Sequence, residues 1–332
     1  MCMKLIHMKS SCCGARIHRH GHARRRCSAC GRTWRVRQKR RGRKSVRVHP
    51  NLGTIVLIRG ESVRKKAIRT NRGRETVRRR HTENLKALMH TLPEPHAPTG
   101  KLVAIADATS TTVTGVRYTI YLILLRRTTG VRAIAMEPYI TAGHECMEGW
   151  RTAFAQIPSE PSRRICALVS DGFTGMDNYA REQNWVYQRC HFHLLKMLQS
   201  LRGKRWRYVK QRDMREEMYQ LVCAMLTTPQ EEVAETLLAT LQERLADPTC
   251  PRWFALRTRG FVRKLPAFRA YLHHPELHLP RTTNVAESAM SRLAETLRTT
   301  RGFTSATALR LWITVRVRSF SPFTCRGDFP PN

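Results

Sequence analysis

Apolar and polar positions change period along the chain, and those changes divide it. Between residues 102 and 189 the apolar runs are short and strand-like. Leu102–Ala106, Arg117–Leu125 and Val131–Met136 read as three strands joined by Thr/Gly-rich and Arg-Thr-Thr-Gly turns. Ile165–Val169 is too short for a helix and stops at Ser-Asp-Gly, the pattern of a buried strand in a parallel sheet; Trp185–Arg189 is a further short strand. A helix over about Ala142–Ala155 separates the two groups, so the predicted order is strand, strand, strand, helix, strand, helix, strand.

From Leu194 to Leu279 the period becomes that of amphipathic helices, with patterns at Trp206–Leu226, from Thr228 through Leu245, and at Trp253–Leu272. Thr228-Pro229-Gln230-Glu231 reads as a capping box with proline at the first helical position. The aromatic and basic residues Trp206, Arg207, Trp253 and Arg257 read first as helix core and solvated face, with base stacking as the alternative. A last helix is expected from Val285, capped by Asn284.

Upstream, residues 60–88 have the layout of a helix-turn-helix. Ser62 can cap a helix running to about Thr70, Asn71 tolerates a left-handed turn, and a second helix runs from Arg74 toward Leu88. Ala67 fits the small slot between the helices and Val77 the buried slot ten residues later, whereas Arg72 stands where such a turn usually carries an apolar plug. Thr91–Gly100, with Pro93, Pro95 and Pro98, has linker composition. The expected domains are a basic arm at 1–48, a helix-turn-helix region at 49–92, a core at 100–193, a helical segment at 194–280 and a final core helix at 281–320.

Charge narrows the partner. Lys plus Arg number 60 against 24 Asp plus Glu, a net charge of +36. Residues 1–82 hold 26 of those basic residues and two acids, Glu61 and Glu75, so that quarter carries +24. Such an excess repels itself unless a polyanion neutralises it, which favours nucleic acid over a small acidic substrate. A solvated basic tail is the duller alternative. Arg74, Arg78, Arg79 and Arg80 of the second helix are the candidate DNA contacts, chiefly to phosphates. The first residues lack an apolar signal region and the longest aliphatic run, Tyr118–Leu125, is far short of a membrane span. A cytoplasmic, nucleoid-associated protein with reduced cysteines is therefore expected.

Some of those cysteines are spaced for metal. Cys27-x2-Cys30-Gly is one knuckle of a zinc ribbon, with Trp34 placed to pack behind it. The other knuckle is imperfect, because Ser10 stands where a cysteine would complete Cys-x2-Cys with Cys13. Cys12, His18, His20 or His22 are candidates for the fourth ligand, and a decayed ribbon is the alternative. The basic run from Arg35 to Arg47 reads as a phosphate-tracking linker.

Three acids are candidates for catalysis. Asp107 is the only carboxylate between Glu94 and Glu137, and Asp171, at a strand's carboxyl end, is alone between Glu160 and Asp177. Ligand and metal sites in open α/β sheets gather at that edge. Asp171 could equally only turn the chain before Gly172, and Glu287 could only complete an Asn-x-x-Glu capping box. Glu295, eight residues on, is the fallback. Cys190 and His193 are too few to make a zinc site alone; His193 is either a partner of a reacting phosphate or, with Cys190, purely structural. His191 points elsewhere on either account.

The blocks Asp171-Gly-Phe, Gln188-Arg-Cys-His-Phe-His193, Pro280-Arg-Thr-Thr-Asn-Val-Ala-Glu-Ser288 and Leu297-Arg-Thr-Thr-Arg-Gly-Phe303 come in this order. Together they resemble the Mutator-type DDE transposases of bacterial insertion sequences, over roughly residues 100–318. The resemblance implies an α/β fold: a ribonuclease H-like mixed sheet with an all-helical insertion filling the 115 residues between Asp171 and Glu287. It assigns Asp107, Asp171 and Glu287 as ligands of magnesium, or manganese in its place, and puts Cys190 and His193 in the active-site neighbourhood. Asp107 would bridge two ions, and Asp171 and Glu287 would each complete one side. Arg281 and Arg298 to Arg301 would be phosphate contacts beside the acids, with a solvated face as the alternative. The implied activity is cleavage at transposon ends followed by strand transfer into double-stranded target DNA, by a homodimer or larger assembly. Two other readings stay open: a decayed or domesticated DNA-binding protein, and a two-metal structure-selective nuclease.

Overall fold

The computed structural model describes residues 13, 17–19, 24–35, 63–202, 210–300, 303 and 305–324. Cys12, His20, His22, Ser62, Trp206, Arg207, Arg301 and the basic run beyond Arg35 lie outside the described residues, as do the side chains of Trp34 and Arg298. The chain divides into two compact units, Met1–Leu52 and Gly53–Asn332. Among the described residues no helix is long and apolar enough to cross a membrane.

The first unit holds a three-stranded antiparallel sheet, β1 (Ile17–Arg19), β2 (Arg24–Cys27) and β3 (Thr33–Arg35), in that order. The Cys27-x2-Cys30 segment is the turn between β2 and β3. It closes through Gly31 N–H to the Cys27 carbonyl (3.1 Å) and Cys27 N–H to the Arg32 carbonyl (2.9 Å). Gly31 sits at φ +69°, where a side chain would be strained.

The second unit opens with α1 (Val63–Thr70) and α2 (Arg74–Thr91), joined at Asn71 with φ +51°. Ala67 and Val77 are buried, as their slots require, and Arg72 is exposed. The far end of α2 goes further than the expected helix: it carries Leu85, Leu88 and Met89 onto the core of the main sheet.

That sheet begins with a long hairpin, β4 (Leu102–Val113) and β5 (Val116–Arg127), in register from Leu102 opposite Arg127 to Val113 opposite Val116. The first strand therefore does not end before Asp107. Thr109, Thr111 and Thr112, read from sequence as turn composition, are β-branched residues that suit an extended ladder. The turn is Thr114-Gly115, both at positive φ, which matches the strand twist of a two-residue hairpin. Next come β6 (Arg132–Ala135) and β7 (Tyr139–Ala142), both antiparallel to β5. The strand β7 was not legible in the sequence. It delays the following helix, so α3 spans Met147–Ala155, not 142–155. A short α4 (Ser159–Arg163) leads to β8 (Ile165–Ser170), α5 (Met176–Glu182) and β9 (Val186–Arg189). Both β8 and β9 run parallel to β4. With β10 (Phe323–Thr324) at the far edge, the order is β10-β6-β5-β4-β8-β9, a mixed parallel and antiparallel sheet.

Alternation along the strands divides the core in two. One face carries Val103, Ile105, Leu122, Leu124 and Val169 against Val285, Ala289 and Leu293 of α11 (Asn284–Thr300) and Leu309, Trp312 and Ile313 of α12 (Ala306–Phe320). The other carries Leu102, Ala104, Tyr121, Ile123 and Leu168 against Trp150 and Phe154 of α3 and Tyr179 of α5. The result is a mixed α/β unit with helices on both faces.

Among the described residues between β9 and α11, five α-helices share a core of their own: α6 (His191–Arg202), α7 (Arg212–Thr227), α8 (Glu231–Ala246), α9 (Arg252–Arg263) and α10 (Leu265–His273). The capping box expected at Thr228 does not form. Thr228 N–H instead closes α7 on the Ala224 carbonyl, α8 starts without a side-chain cap, and Glu231 pairs with Arg269 at 2.6 Å. Arg269 is 1% exposed, and it also donates to the Met225 and Thr228 carbonyls. A buried guanidinium needs such partners, and its demand outweighs a local cap. The helix expected over 253–272 breaks at Lys264, because Pro266 has no N–H to continue the ladder. Helix α10 covers the edge strand β9: buried Gln188 donates to the Phe268 carbonyl (3.0 Å) and accepts from Tyr271 N–H (2.9 Å).

Gly149 is where α3 meets the sheet, and a Cβ there would lie 2.2 Å from the hydroxyl of buried Tyr121. Gly149→Ala is expected to destabilise the protein by about 1–3 kcal/mol, the usual cost of overpacking, read as a lowered urea midpoint. An unchanged midpoint would mean that this helix-to-sheet contact is loose.

Candidate active site

Strand register brings the first two acids together. In the parallel pair of β4 and β8, Ala106 lies opposite Ser170, and the next residues are Asp107 and Asp171. Strand β8 stops there while β4 runs on, so the two carboxylates share the end of one pairing. Gly172 turns the chain away at φ +94°, and Asp171 Oδ1 accepts Phe173 N–H at 3.0 Å. Asp171 thus does turn the chain, and it does so beside Asp107. Asp107 is 8% exposed, with Oδ1 accepting Ala108 N–H at 2.9 Å. Burial, followed by the charges of Asp171 and Glu287, pushes its carboxyl up to about 8.

Glu287 comes from the first turn of α11. The helix begins at Asn284, one residue earlier than expected, and Glu287 N–H bonds the Thr283 carbonyl. Its side chain does not serve as a backbone cap: Oε1 accepts from Thr283 Oγ1 (3.0 Å) and faces His193 Nδ1 (3.5 Å) and Cys190 Sγ (4.0 Å). Glu295 is exposed, its charge acts on Arg316, and it is not among the acids whose charges act on Asp107. The fallback acid is thereby set aside.

A fourth carboxylate was missed by the sequence reading. Glu145 lies in the loop after β7, where Trp150 Nε1–H donates to Oε1 at 2.9 Å. Burial raises its carboxyl, Trp150 lowers it and Asp171 raises it; Glu145 in turn adds to the charge that acts on Asp107. Tyr121 anchors this loop by accepting Cys146 N–H at 3.0 Å. The signal was Gly143, at φ +110°: read as a strand end, it would have placed Glu145 in a loop instead of a helix.

Cys190 and His193 enter through the start of α6. Cys190 N–H bonds the Ser170 carbonyl (2.8 Å), which ties the end of β9 to the end of β8. Its sulfur is buried and receives Thr283 N–H and Thr283 Oγ1, each at 3.3 Å; burial nevertheless pushes the thiol up. The Thr283 hydroxyl has one proton and serves either Cys190 or Glu287 at a given moment. His191 does point elsewhere, with Nε2 2.7 Å from the Phe268 carbonyl, and burial pushes it down to about 4.

Beside the acids opens a cavity of about 1030 Å³, which runs from Asp171 and His193 to Arg257, Arg263 and Lys264. Arg189 lies in its wall, donating to the Gly172 carbonyl and stacked 5.0 Å over Phe268. Arg281 is half-buried with its guanidinium 5.8 Å from the Tyr271 ring, and its carbonyl accepts His191 N–H. Arg74, Arg78, Arg79 and Arg80 are exposed on α2, where Arg78 pairs with Glu75 and Arg79 faces Glu83. Exposed pairs of this kind are weak and yield to a stronger anion.

In the first unit, Cys13, Cys27 and Cys30 bring their sulfurs within 4.8 Å of one another, and Cys13 Sγ is 3.1 Å from Cys27 Sγ. Three thiol ligands at this spacing can bind a metal such as zinc. His18 is exposed on β1, opposite Arg26.

No protein-family model matches this chain, and no curated protein matches it.

The charges named as acting on Asp107 are all negative. At neutral pH the folded, metal-free protein holds a proton on Asp107 that the unfolded chain has released. Its stability therefore falls as pH rises from the ordinary carboxylate range through about 8. Asp107→Asn is expected to remove this loss and to raise the urea midpoint of the metal-free protein at about pH 9 relative to wild type. Equal midpoints across the pH range would mean that the acids do not repel as placed.

Proposed function

We propose that the chain is a DNA transposase of the Mutator-type DDE class, with a ribonuclease H-like core, a helical insertion and a zinc-ribbon arm. One observation carries the reading: the β4–β8 register puts Asp107 beside Asp171, and Glu287, far away in sequence, comes near enough for its charge to act on Asp107. The sheet supports it, with an antiparallel β4-β5-β6 set extended by parallel β8 and β9, and the helical segment lies between the second and third acids. The first three of the sequence blocks that resemble the family, around Asp171, Cys190 and Glu287, fall on these site elements.

The donor set suits hard divalent cations. It is all oxygen, and Asp107 sits among negative charges that a cation would neutralise. Asp107, Asp171 and Glu287 would hold magnesium, with Glu145 at the margin. A magnesium ion held there would supply acidification of an attacking water or hydroxyl and neutralisation of charge on the leaving oxygen. The protein's own residues do the positioning. Thr283 orients Glu287, Gly172 lets the chain leave Asp171 without covering it, and Trp150 holds Glu145. His193 lies beside Glu287, in the lining of the cavity that would receive the DNA strand. Arg189, Arg257, Arg263 and Lys264 give that cavity a positive wall for the phosphates. Helix α2 with its arginines, and the arm with Cys13, Cys27 and Cys30 on zinc, would bind the element's ends.

The test is a magnesium-dependent strand-transfer assay with DNA carrying the ends of the flanking element. Wild type should join donor to target, and Asp171→Asn and Glu287→Gln should each cut the rate by at least ~10²-fold, the scale of losing one group that stabilises developing charge. End binding without nicking or joining, in magnesium or manganese, sinks the catalytic reading and leaves a DNA-binding protein. Nicks without joined products would make the enzyme a nuclease.

A second measurement addresses the cavity wall. Each of Arg257→Gln and Lys264→Gln should reduce the slope of log K against log salt by about one contact's worth, ~0.7–0.9, while leaving sequence preference unchanged. Slopes equal to wild type would take the strand elsewhere.

A further inference from the structure

Cys190, His193 and Glu287 form a cluster whose chemistry differs from that of the carboxylates beside it. Their ligand atoms, one sulfur, one imidazole nitrogen and one carboxylate oxygen, lie within 4.8 Å of one another. His193 Nδ1 is buried and makes no hydrogen bond in this structure, although it faces Glu287 Oε1 at 3.5 Å. A buried ring nitrogen without a hydrogen bond is costly unless something else occupies its lone pair. Cys190 occupies the residue before α6, where the His193 N–H and two donors of Thr283 converge on its sulfur. Donors of this kind stabilise a thiolate, and hydrogen bonds to ligands are what fix their orientation around a metal.

We propose that Cys190, His193 and Glu287 form a binding site for a thiophilic divalent cation of the zinc type, separate from the three-cysteine cluster of the first unit. Sulfur and nitrogen donors select zinc over magnesium, and three protein ligands leave a fourth position for water. Binding releases the Cys190 thiol proton to solvent and uses the Nδ1 lone pair of neutral His193. Because Glu287 serves this site, zinc here removes a carboxylate from the hard-cation set. Zinc should therefore inhibit magnesium-dependent chemistry. That last consequence rests on the proposed function, whereas the binding itself does not.

The experiment titrates cobalt(II), then zinc, into the reduced, metal-free full-length protein, reading the near-ultraviolet thiolate-to-cobalt charge-transfer band. Wild type should bind one equivalent more than His193→Gln and one more than Glu287→Gln. The lost increment should carry the intensity of a single thiolate, a third of that of a three-thiolate site. Thr283→Val should keep the equivalent but weaken it by ~10-fold, the usual effect of losing a hydrogen bond to a ligand. Equal cobalt stoichiometry and band intensity in wild type, His193→Gln and Glu287→Gln overturns the proposal. Both glutamine variants change partly exposed side chains, and matching far-ultraviolet circular dichroism checks that they fold. The titration needs no DNA, so failure to join DNA leaves this result intact, and absence of the band leaves the strand-transfer reading intact.

Discussion

Burial of the Asp107 carboxyl, next to three other acids, is the constraint on which the rest of the second unit depends. Asp107 is almost completely buried, with Asp171, Glu287 and Glu145 all acting on it. An arrangement that unfavourable persists only if the elements carrying the acids are stabilised elsewhere. The framework meets that need with two apolar faces. Val103, Ile105 and Leu124 pack on α11 and α12, and Leu102, Ala104 and Tyr121 pack on α3 and α5. Asp107 and Glu287 are carried by β4 and α11 and Asp171 directly follows β8, all anchored in these cores, so separating these acids would mean dismantling packing worth about 1.5–3 kcal/mol per buried large side chain.

The same frame accounts for the helical segment. Strand β9 is an edge, and an uncovered edge invites pairing with other chains. Helix α10 closes it through Gln188, whose amide bonds backbone groups on both Phe268 and Tyr271. That contact also places the wall of the cavity, because Arg263, Lys264 and Phe268 flank the junction of α9 and α10. Covering the edge and building a basic groove next to Asp171 are thus two results of one docking. Thr283 plays a comparable double part, since one residue orients both Glu287 and Cys190.

Asp107 and Asp171 of the candidate site stood out beforehand because their signals are local, whereas Glu287, Cys190 and His193 were assigned to it by the resemblance. The isolation of Asp107 and Asp171 among apolar runs, and the Asn-Val-Ala-Glu start of a helix, needed only neighbouring residues. The positions read as Ala67, Asn71 and Val77 of a helix pair also depend on spacing alone, and each has the burial or backbone angle expected of it. Where the reading failed, a distant group had overruled a local preference. Arg269, 38 residues beyond Glu231 and 41 beyond Thr228, occupies Glu231 and the Thr228 carbonyl and so displaces the capping box. The pairing of β7 with β5 shortens a helix whose own pattern continued back to Ala142.

By itself the sequence determined which residues could carry chemistry: few acids in a strongly basic chain, one Cys-x2-Cys turn and one Cys-x2-His. It also determined that strands precede helices and that a helical segment separates Asp171 from Glu287. Only the tertiary structure decided which of these meet. The register of β4 against β8 makes Asp107 and Asp171 neighbours, the loop after β7 adds Glu145, and α11 sets Glu287 against Cys190 and His193. The physical reason is that side-chain type follows from one position, whereas proximity follows from pairing and packing between positions far apart along the chain.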